Sequence, residues 1–391
     1  MNRKDRSLSR WRSGLLPALR NMVRRCTGVA PAAGTPATLE ALASRGPYGF
    51  ATRDFVFVDA TRPTPPNGPY PGSPVRTLPT RVFYPAWPAS TMASPPPAER
   101  VPVAGGGPFP LLAYAHGFTA RGEAVRFMAE HLASHGYIIA APLFPLSRGD
   151  APGGPTIVDV PSQPGDLAFV MRRVATLDGD DSDLAAAANT KLQGIMGLSL
   201  GGLTVLLATY HPTLHIQGID AAVAQAPKSC FLGQSVFVRP LPTLILTGTA
   251  DEPVPPEGPE RVFSMAPPPV MLVELLGGTH TGFMNREQPL VANTDTRECE
   301  LLVAAESSQA GADFGEALRH GAWPDAYSPN ACPPTCSQRL VQTMGATRQL
   351  QLARAATLAH FEATLRGRQD AAAFLTARLD QLPDVQVQSK P

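Results

Sequence analysis

The sequence predicts an α/β protein with a mostly parallel, doubly wound sheet, an antiparallel pair of strands at its start and a C-terminal lid-like insertion. Between residues 109 and 278, apolar runs of strand length alternate with segments of helical period. No repeat of about 20 to 50 residues is visible, which argues against solenoids and propellers. At 391 residues, the chain can form one large domain of this kind with appendages.

The composition excludes several classes of function. Hydrophobic residues make up 43% of the chain and charged residues 17%, and the formal net charge is +1 at pH 7. A chain with this balance has no general attraction for nucleic acid or anionic membranes. No stretch approaches the ~20 apolar residues of a membrane span, and no Walker A, G-x-G-x-x-G or H-E-x-x-H motif occurs. We therefore expect no nucleic-acid partner, no integral membrane segment, no metal and no other cofactor, while the oligomeric state stays open.

Residues 1–45 are predicted to form a disordered basic tail followed by an Ala/Pro/Gly-rich linker. The first 26 residues carry eight Arg or Lys against one acidic residue, and their longest apolar run is the five residues LLPAL. A secretory signal needs an apolar core of roughly 7 to 15 residues. The chain is therefore expected to be either cytoplasmic or exported from a misassigned start.

The core is predicted over residues 46–284. FVFVDA (55–60) and TRVFYPA (80–86) have strand-like composition and are separated by a proline-rich loop, which suits an antiparallel pair. The later apolar runs suit parallel strands that are buried on both faces. The elements then follow in this order: strand 109–117, helix 122–136, strand 137–144, helix 165–177, strand 191–199, helix 201–211, strands 219–227 and 241–251, a short helix at 259–266 and strand 269–278.

The alternation of strands and helices is lost after the core. Residues 285–342 are irregular and are predicted to form the lid-like insertion, and residues 343–391 are predicted to form helices that pack on the core. Five cysteines are too few for a disulfide scaffold, and CPPTC has no second such pair nearby for a zinc site. Cys299, Cys332 and Cys336 are compatible with one disulfide in an oxidising compartment or with free thiols.

One short motif carries the candidate chemistry. Residues 197–201 are G-L-S-L-G, with a strand predicted before Ser199 and a helix predicted after it. A serine on a tight strand-to-helix turn needs neighbours without side chains, because the backbone there is strained and closely packed. The helix N-terminus that follows favours developing negative charge. Ser199 is therefore the candidate nucleophile.

A serine nucleophile needs a base, most often a histidine that a carboxylate orients, and in this topology the chain order is Ser, acid, His. His280 directly follows a predicted strand in the loop GGTHTGF, at the edge where Ser199 also lies. His320 lies in the predicted insertion and His360 lies inside a helix. His280 is therefore the favoured base.

The acid should follow a late strand at its carboxyl end. Asp251 has this position in LILTGTADEPVPP, and the adjacent Glu252 stays an alternative. Asp220 lies at the amino end of its strand, and Glu274 lies within a strand. Asp251 is therefore the preferred acid, although capping of the next turn would also explain it.

Two backbone amides are expected to bind the oxyanion of a tetrahedral intermediate. One is the amide of Leu200, directly after Ser199, and the other is the amide of Phe118 in the loop YAHGFTA. His116 lies in the same loop, but it precedes Ser199 in the chain and belongs to an HG turn. We therefore expect His116 to have a structural role.

Over residues 50–285, the chain resembles the α/β-hydrolase superfamily. The segments that carry the resemblance are FPLLAYAHGFTARGEAVRFMAEHLASHGYIIAAP, GLSLGG, LPTLILTGTADEPVPP and GGTHTGF. They are most similar to the bacterial branch of platelet-activating-factor acetylhydrolase-like esterases and cutinase-like polyester hydrolases. The resemblance implies Ser199, Asp251 and His280 as a catalytic triad, with the amides of Phe118 and Leu200 as the oxyanion hole.

Three differences from related hydrolases bear on the substrate or the chemistry. Polyester hydrolases usually have an aromatic clamp where this chain has QAPKSC, with Lys228 near the expected tryptophan, and their cleft is open and without a lid. Dienelactone hydrolases, another related group, use a cysteine nucleophile where this chain has Ser199. Residues 145–166 resemble a segment of uncharacterised bacterial hydrolases and have no assigned role.

These observations lead to one main functional hypothesis and several alternatives. The main hypothesis is a serine hydrolase that cleaves carboxylic esters of modest size, small-molecule or lipid-like, through an acyl-enzyme. A polyester or cutinase-type hydrolase, a phospholipid-acetyl hydrolase and an acyltransferase would use the same residues. A non-catalytic binding protein on the same fold is the alternative of a different class.

Overall fold

The computed structural model describes residues 36–87, 101–120, 126–284, 295–306, 331 and 333–391. Residues 1–35 of the tail and linker predicted at 1–45 therefore lie outside the described residues, as does His320. Within the rest of that segment, Leu39–Ala43 form a short helix where disorder was predicted. The described ranges contain the following strands: β1 Gly49–Asp59, β2 Arg76–Ala86, β3 Phe109–Ala115, β4 Ile138–Pro142, β5 Ala188–Leu198, β6 Ala221–Gln225, β7 Thr243–Gly248, β8 Val270–Leu275 and β9 Val385–Lys390.

All nine strands belong to one sheet in the order β1-β2-β4-β3-β5-β6-β7-β8-β9. The six central strands, β3 to β8, are parallel to one another, while β1, β2 and β9 pair antiparallel with their neighbours. This arrangement confirms the predicted mostly parallel sheet with an antiparallel N-terminal pair. It also brings the carboxyl ends of β3 to β8 to one edge, where the loops after them meet.

Helices cover both faces of the sheet. They are α1 Leu39–Ala43, α2 Arg126–Ser134, α3 Gln163–Ala175, α4 Ser182–Ala187, α5 Leu200–Tyr210, α6 Glu257–Met265, α7 Asp295–Glu306, α8 Ala346–Thr364 and α9 Gln369–Ala377. In β3, successive side chains belong to different cores, with Leu111 on the face of α3 to α6 and Leu112 on the face of α1, α2, α8 and α9. Because side chains alternate along a strand, a strand between two cores has to be apolar throughout.

The C-terminal region contains helices and one further strand. Helix α8 buries an apolar stripe on the sheet, as the amphipathic pattern predicts. Only helices were predicted here, but residues 385–390 form β9, which pairs with β8 at the edge of the sheet. Its residues, VQVQSK, alternate between apolar and polar, and this weak period-2 signal is the one that indicates an edge strand.

Only part of the predicted insertion at residues 285–342 is described, namely α7, residue 331 and residues 333–342. Its role as a lid therefore stays a prediction. Among the described helices, none combines the length and the apolar character that a membrane crossing would require.

Candidate active site

Ser199 occupies the sharp turn between β5 and α5. Its backbone dihedrals are φ 59° and ψ −117°, in a region that residues with a side chain rarely adopt. The Ser199 N–H donates to the carbonyl oxygen of Gln225 at 2.9 Å, and its own carbonyl oxygen accepts from Leu203 and Lys228 at 3.1 and 3.2 Å. These bonds on both sides hold a strained conformation in place, as is common at functional sites.

The glycines around Ser199 are required by close backbone approach. A Cβ atom on Gly201 would lie 2.0 Å from the carbonyl oxygen of Ala115, and one on Gly197 would lie 2.4 Å from the carbonyl oxygen of Gly201. Neither distance is compatible with a side chain, because the opposing atoms are backbone. The G-x-S-x-G spacing therefore follows from the contact of the turn with β3.

Asp251 and His280 form a buried pair at the same edge of the sheet. Asp251 lies in the loop after β7, His280 lies in the loop after β8, and Nδ1 of His280 is 2.8 Å from Oδ2 of Asp251. The two side chains are 0% and 1% exposed, respectively. With Nδ1–H donating to the carboxylate, Nε2 of the neutral ring is the nitrogen that can accept a proton. This is the arrangement that a general base requires.

The electrostatics of Asp251 reflect its burial. Burial raises the pKa of the Asp251 carboxyl to about 6, while the contact with His280 acts in the opposite direction. Asp295, a third residue of this region, adds a smaller upward contribution to the same pKa. A buried carboxylate is stabilised by a hydrogen-bond donor or a positive charge. Neutral His280 supplies the donor, and protonated His280 supplies the positive charge as well.

The alternative acids have other partners. The carboxylate of Glu252 accepts from the Leu340 N–H at 3.1 Å and from the Arg339 guanidinium at 2.9 Å. Asp220 accepts from a backbone N–H of β5 at the amino end of the sheet, and Glu274 accepts from Gln388 of β9. Of the candidates that the sequence leaves open, Asp251 is therefore the one that contacts His280.

His116 and His360 are buried away from the Asp251–His280 pair. Nε2 of His116 accepts from the Phe144 N–H at 2.9 Å, and its Nδ1–H donates to the carbonyl oxygen of Gly117 at 2.8 Å. Burial lowers the pKa of His116 to about 4, so its ring stays neutral near pH 7. Burial inside α8 likewise lowers the pKa of His360 to about 4. The structural role expected for His116 agrees with these contacts.

The loop that carries Phe118 lies against Ser199. A Cβ atom on Gly117 would be 3.5 Å from the Cβ atom of Ser199, so the backbone of this loop borders the nucleophile candidate. Leu200 is the first residue of α5 and is buried. The two residues predicted to supply oxyanion donors therefore belong to the two backbone segments that adjoin Ser199.

Residues 145–166 support the loop of Phe118. The carbonyl oxygen of Ser147 accepts from the Thr119 N–H at 2.9 Å, and its hydroxyl accepts from Nε2 of Gln163 at 2.9 Å. Oε1 of Gln163 in turn accepts from the Thr204 hydroxyl on α5. All three side chains, of Ser147, Gln163 and Thr204, are fully buried. A segment without an assigned role in the sequence thus connects the two backbone segments next to Ser199.

A buried ion cluster anchors the same segment to β2. The Arg76 guanidinium makes two hydrogen bonds to Asp159, both at 2.9 Å, and two to Asp166, at 2.8 and 2.6 Å. Arg76 and both carboxylates are at most 1% exposed. Paired forks of this kind fix both distance and orientation.

Asp295 and Gln349 both make hydrogen bonds to the backbone of the His280 loop, and neither was predicted from the sequence. The Asp295 carboxylate accepts from the backbone N–H of His280 at 3.0 Å. The Gln349 side chain accepts from the Thr279 N–H at 3.0 Å and donates to the Thr279 carbonyl oxygen at 2.7 Å. In the sequence, Asp295 lies in the irregular segment at residues 285–342, and Gln349 is only a polar residue in an amphipathic helix.

Disulfide-bonded cysteines occur both in the core and in the region after it. Cys299 of α7 is bonded to Cys336, and Cys230 is also in a disulfide. The backbone N–H of Cys336 donates to the carbonyl oxygen of Glu252 at 3.0 Å, and the Lys228 ammonium donates to the Thr335 hydroxyl. Residues 335–340 therefore contact the loops after both β6 and β7.

No group of His, Cys, Asp or Glu with the geometry of a metal site occurs in the described part of the chain. The site residues are a hydroxyl, an imidazole, a carboxylate and backbone amides, which are groups that perform acyl transfer by themselves.

Comparison with known proteins identifies the fold. No protein-family model and no curated protein match the chain. Among solved structures, a ferulic acid esterase from Streptomyces cinnamoneus is similar, with a TM-score of 0.57 and 20% sequence identity. The match covers 91% of this chain and 98% of that chain. At this identity the likeness concerns the fold, and together with the sheet order it shows that the chain has the α/β-hydrolase fold.

Proposed function

We propose that the protein is a serine hydrolase that cleaves carboxylic esters of modest size through an acyl-enzyme. The observation that carries the proposal is the buried contact of 2.8 Å between His280 and Asp251 at the sheet edge where Ser199 has its strained turn. The groups are those of a Ser-His-Asp triad, in the chain order of this fold. The ferulic acid esterase with the same fold supports ester hydrolysis as the reaction class.

The proposed mechanism has two steps. Oγ of Ser199 attacks the ester carbonyl carbon while Nε2 of His280 takes the hydroxyl proton, and the amides of Phe118 and Leu200 bind the oxyanion. The C–O bond to the alcohol breaks, and His280 returns the proton to the leaving oxygen. Water then attacks the acyl-enzyme, with His280 as the base again, and releases the acid and free Ser199. Asp251 stabilises the imidazolium in both steps.

Esters of modest size are favoured over polymers because of two features. Lys228 follows β6 where polyester hydrolases have an aromatic residue, and its ammonium contacts Thr335. Residues 335–340 contact the loops beside the site through Glu252 and a disulfide-bonded cysteine. These contacts place residues 335–340 against the loops after β6 and β7. Acetyl phospholipids and esters of aromatic acids such as ferulate belong to the same size range and are included in the substrate panel below.

The test compares two serine variants. Ser199→Ala should reduce the hydrolysis of p-nitrophenyl acetate to near the uncatalysed rate, since a triad without its nucleophile loses roughly 10⁶-fold in kcat. Ser235→Ala is the matched control, because the Ser235 hydroxyl lies in a short helical turn after β6 and has no hydrogen-bond partner among the described residues. Full activity in Ser199→Ala would disprove the assignment.

Substrate range is tested with nitrophenyl esters of increasing acyl length, an acetyl phospholipid, a ferulate ester and a polyester film. We expect the highest kcat/KM for the short esters and little release from the film. Fast release from the film would favour the cutinase-type alternative. A new ester formed in the presence of an added alcohol would identify an acyltransferase, and failure of Ser199 to react with a fluorophosphonate probe would identify a binding protein.

The disulfides support an exported protein. Disulfides persist in oxidising compartments and are rare in the cytosol. The bonded pair Cys299–Cys336 and the bonded Cys230 together make two disulfide sites in the described region. Cell fractionation with an antibody against the chain tests this proposal, and recovery in the cytosolic fraction with free thiols would contradict it.

A further inference from the structure

Asp295 is buried where it contacts the backbone of the His280 loop. It is the first residue of α7 and is 5% exposed. Its Oδ2 accepts from the His280 N–H at 3.0 Å, and its Oδ1 accepts from the Thr281 N–H at 2.9 Å and the Thr281 hydroxyl at 2.7 Å. One carboxylate thus fixes the backbone at the candidate base and at the next residue.

The same carboxylate also reaches the loop of the acid. Oδ2 of Asp295 lies 3.4 Å from the backbone N–H of Glu252, the residue directly after Asp251. Asp295 therefore contacts both of the loops whose side chains form the Asp251–His280 pair. A shift of either loop relative to the other would have to break a contact with this one side chain.

Helix α7 is itself fixed to the core. Cys299 lies one turn after Asp295 and is bonded to Cys336. The backbone N–H of Cys336 donates to the carbonyl oxygen of Glu252 at 3.0 Å. Helix α7 is therefore joined by a disulfide to Cys336, which in turn makes a backbone hydrogen bond to the loop of Asp251.

The contrast with Gln349 indicates that the charge of Asp295 matters. The neutral amide of Gln349 makes two hydrogen bonds to the backbone of Thr279 in the same loop. Burying a carboxylate costs more free energy than burying an amide. A neutral amide such as that of Gln349 can hold a backbone by hydrogen bonds without the free-energy cost of burying a charge. A fixed negative charge near His280, in contrast, favours the imidazolium that forms during the reaction.

We propose that Asp295 is a positioning residue of the active site, which orients His280 through its backbone and supplies a second negative charge beside the Asp251–His280 pair. The inference rests on the proposed function, because it needs His280 to act as a base. It implies that the part of the chain after the core contributes to the chemistry as well as to the shape of the site.

The test uses Asp295→Asn, which keeps the shape of the side chain but removes the charge and one pair of acceptor sites. Activity is expressed per active site, counted by full reaction with a fluorophosphonate. We expect kcat for p-nitrophenyl acetate to fall about 10-fold to 100-fold with KM nearly unchanged, since small misplacements of catalytic groups have effects of this size. The rate of fluorophosphonate labelling should fall in the same ratio. A role in stability alone would lower the number of active sites and leave kcat per site unchanged.

Two further variants complete the test. Asp220→Asn is the matched control, since the Asp220 carboxylate also accepts a backbone N–H, from Gln193 at 3.0 Å, but at the opposite edge of the sheet. Thr281→Val removes only one hydrogen bond to Asp295 and should lower kcat by a smaller factor, which keeps the test valid if Asp295→Asn does not fold. A kcat per site within about twofold of the unmodified protein, in the folded variants of Asp295 and Thr281, would overturn the inference. Absence of labelling in the unmodified protein would instead disprove the proposed function.

Discussion

The Thr204 hydroxyl on α5 donates a hydrogen bond to Oε1 of Gln163, and this contact joins the helix after Ser199 to the segment that supports the loop of Phe118. Gln163 continues the connection through Nε2, which donates to the Ser147 hydroxyl at 2.9 Å. The two backbone segments next to Ser199 are therefore linked through one buried amide. We therefore expect residues 145–166 to keep the two proposed oxyanion donors, the amides of Phe118 and Leu200, at a fixed separation.

Substitution of Gln163 by leucine should lower kcat more than it changes KM. The variant keeps the volume of the side chain but removes both hydrogen bonds, so Ser147 and Thr204 lose their shared partner. We expect a fall of about 10-fold in kcat, below the 10²- to 10³-fold cost of deleting an oxyanion donor outright. Steady-state kinetics on p-nitrophenyl acetate checks this, with Gln234→Leu as the control because Gln234 lies at an exposed turn. An equal effect of both substitutions would contradict the role of Gln163.

Asp251 and Glu252 should differ sharply although they are neighbours. Asp251→Asn removes the carboxylate that accepts from Nδ1 of His280, and such a change in a triad costs roughly 10⁴-fold in kcat. Glu252→Gln leaves the His280 contact in place and weakens the contacts with Arg339 and Leu340, so its kcat should stay within a few-fold of the unmodified protein. The measurement is kcat for a short ester in both variants. A reversed order would make Glu252 the acid.

The activity should have an acidic limb with its midpoint near the pKa of the Asp251 carboxyl, which burial raises to about 6. Above this pH, the pair has an ionised carboxylate and a neutral imidazole, as a general base requires. When the pH falls through about 6, the pair takes up a proton, and the base is lost whether His280 or Asp251 carries it. We therefore expect kcat/KM to decrease about tenfold per pH unit below the midpoint.

The pH measurement needs a control for unfolding. Far-UV circular dichroism over the same pH range should show an unchanged fold through the midpoint of the activity curve. A flat profile of kcat/KM between about pH 5 and pH 8 would contradict the pairing of Asp251 with His280 as the working base.

Arg76→Met should destabilise the fold strongly. The substitution leaves the buried carboxylates of Asp159 and Asp166 without their main partner, and removing one member of a buried ion cluster costs about 3–5 kcal/mol. Arg81→Met is the matched control, since Arg81 pairs with Asp54 at the surface, where such pairs contribute about 0–1 kcal/mol. Urea unfolding of both variants gives the comparison. A loss of unfolding free energy below about 1 kcal/mol in Arg76→Met would contradict the stabilising role of the cluster.

The sequence predicted Ser199, Asp251 and His280 because each follows a strand whose apolar run is visible in a short window. Because the strands are parallel, their carboxyl ends lie at one edge of the sheet, so these residues could be placed at the same edge without knowledge of side-chain geometry. Asp295 and Gln349 could not be predicted in this way, because they contact the His280 loop from 15 and 70 residues away and belong to helices with ordinary patterns. Such contacts depend on how helices pack after the core has formed, which no local period specifies.

The length of the local sequence signal also explains which strands were predicted and which strand was missed. The antiparallel start of the sheet was predicted from two strand-like runs and the prolines between them. Strand β9 was missed because its six residues alternate too briefly to stand out from the helices before it. The choice between Asp251 and Glu252 was open because both acidic residues follow the same predicted strand. Only the directions of their side chains, which the sequence does not show, distinguish them.

Strand β9 also covers the edge of β8, which would otherwise be exposed. It pairs with the whole of β8, from Val270 opposite Lys390 to Leu275 opposite Val385. Without it, the backbone of an apolar strand would be open to pairing with a second molecule, which is how exposed edges seed aggregation. The polar residues of β9 make it a poor template for such growth. We therefore expect tagged or shortened versions of the protein to stay monodisperse only if they keep β9 intact.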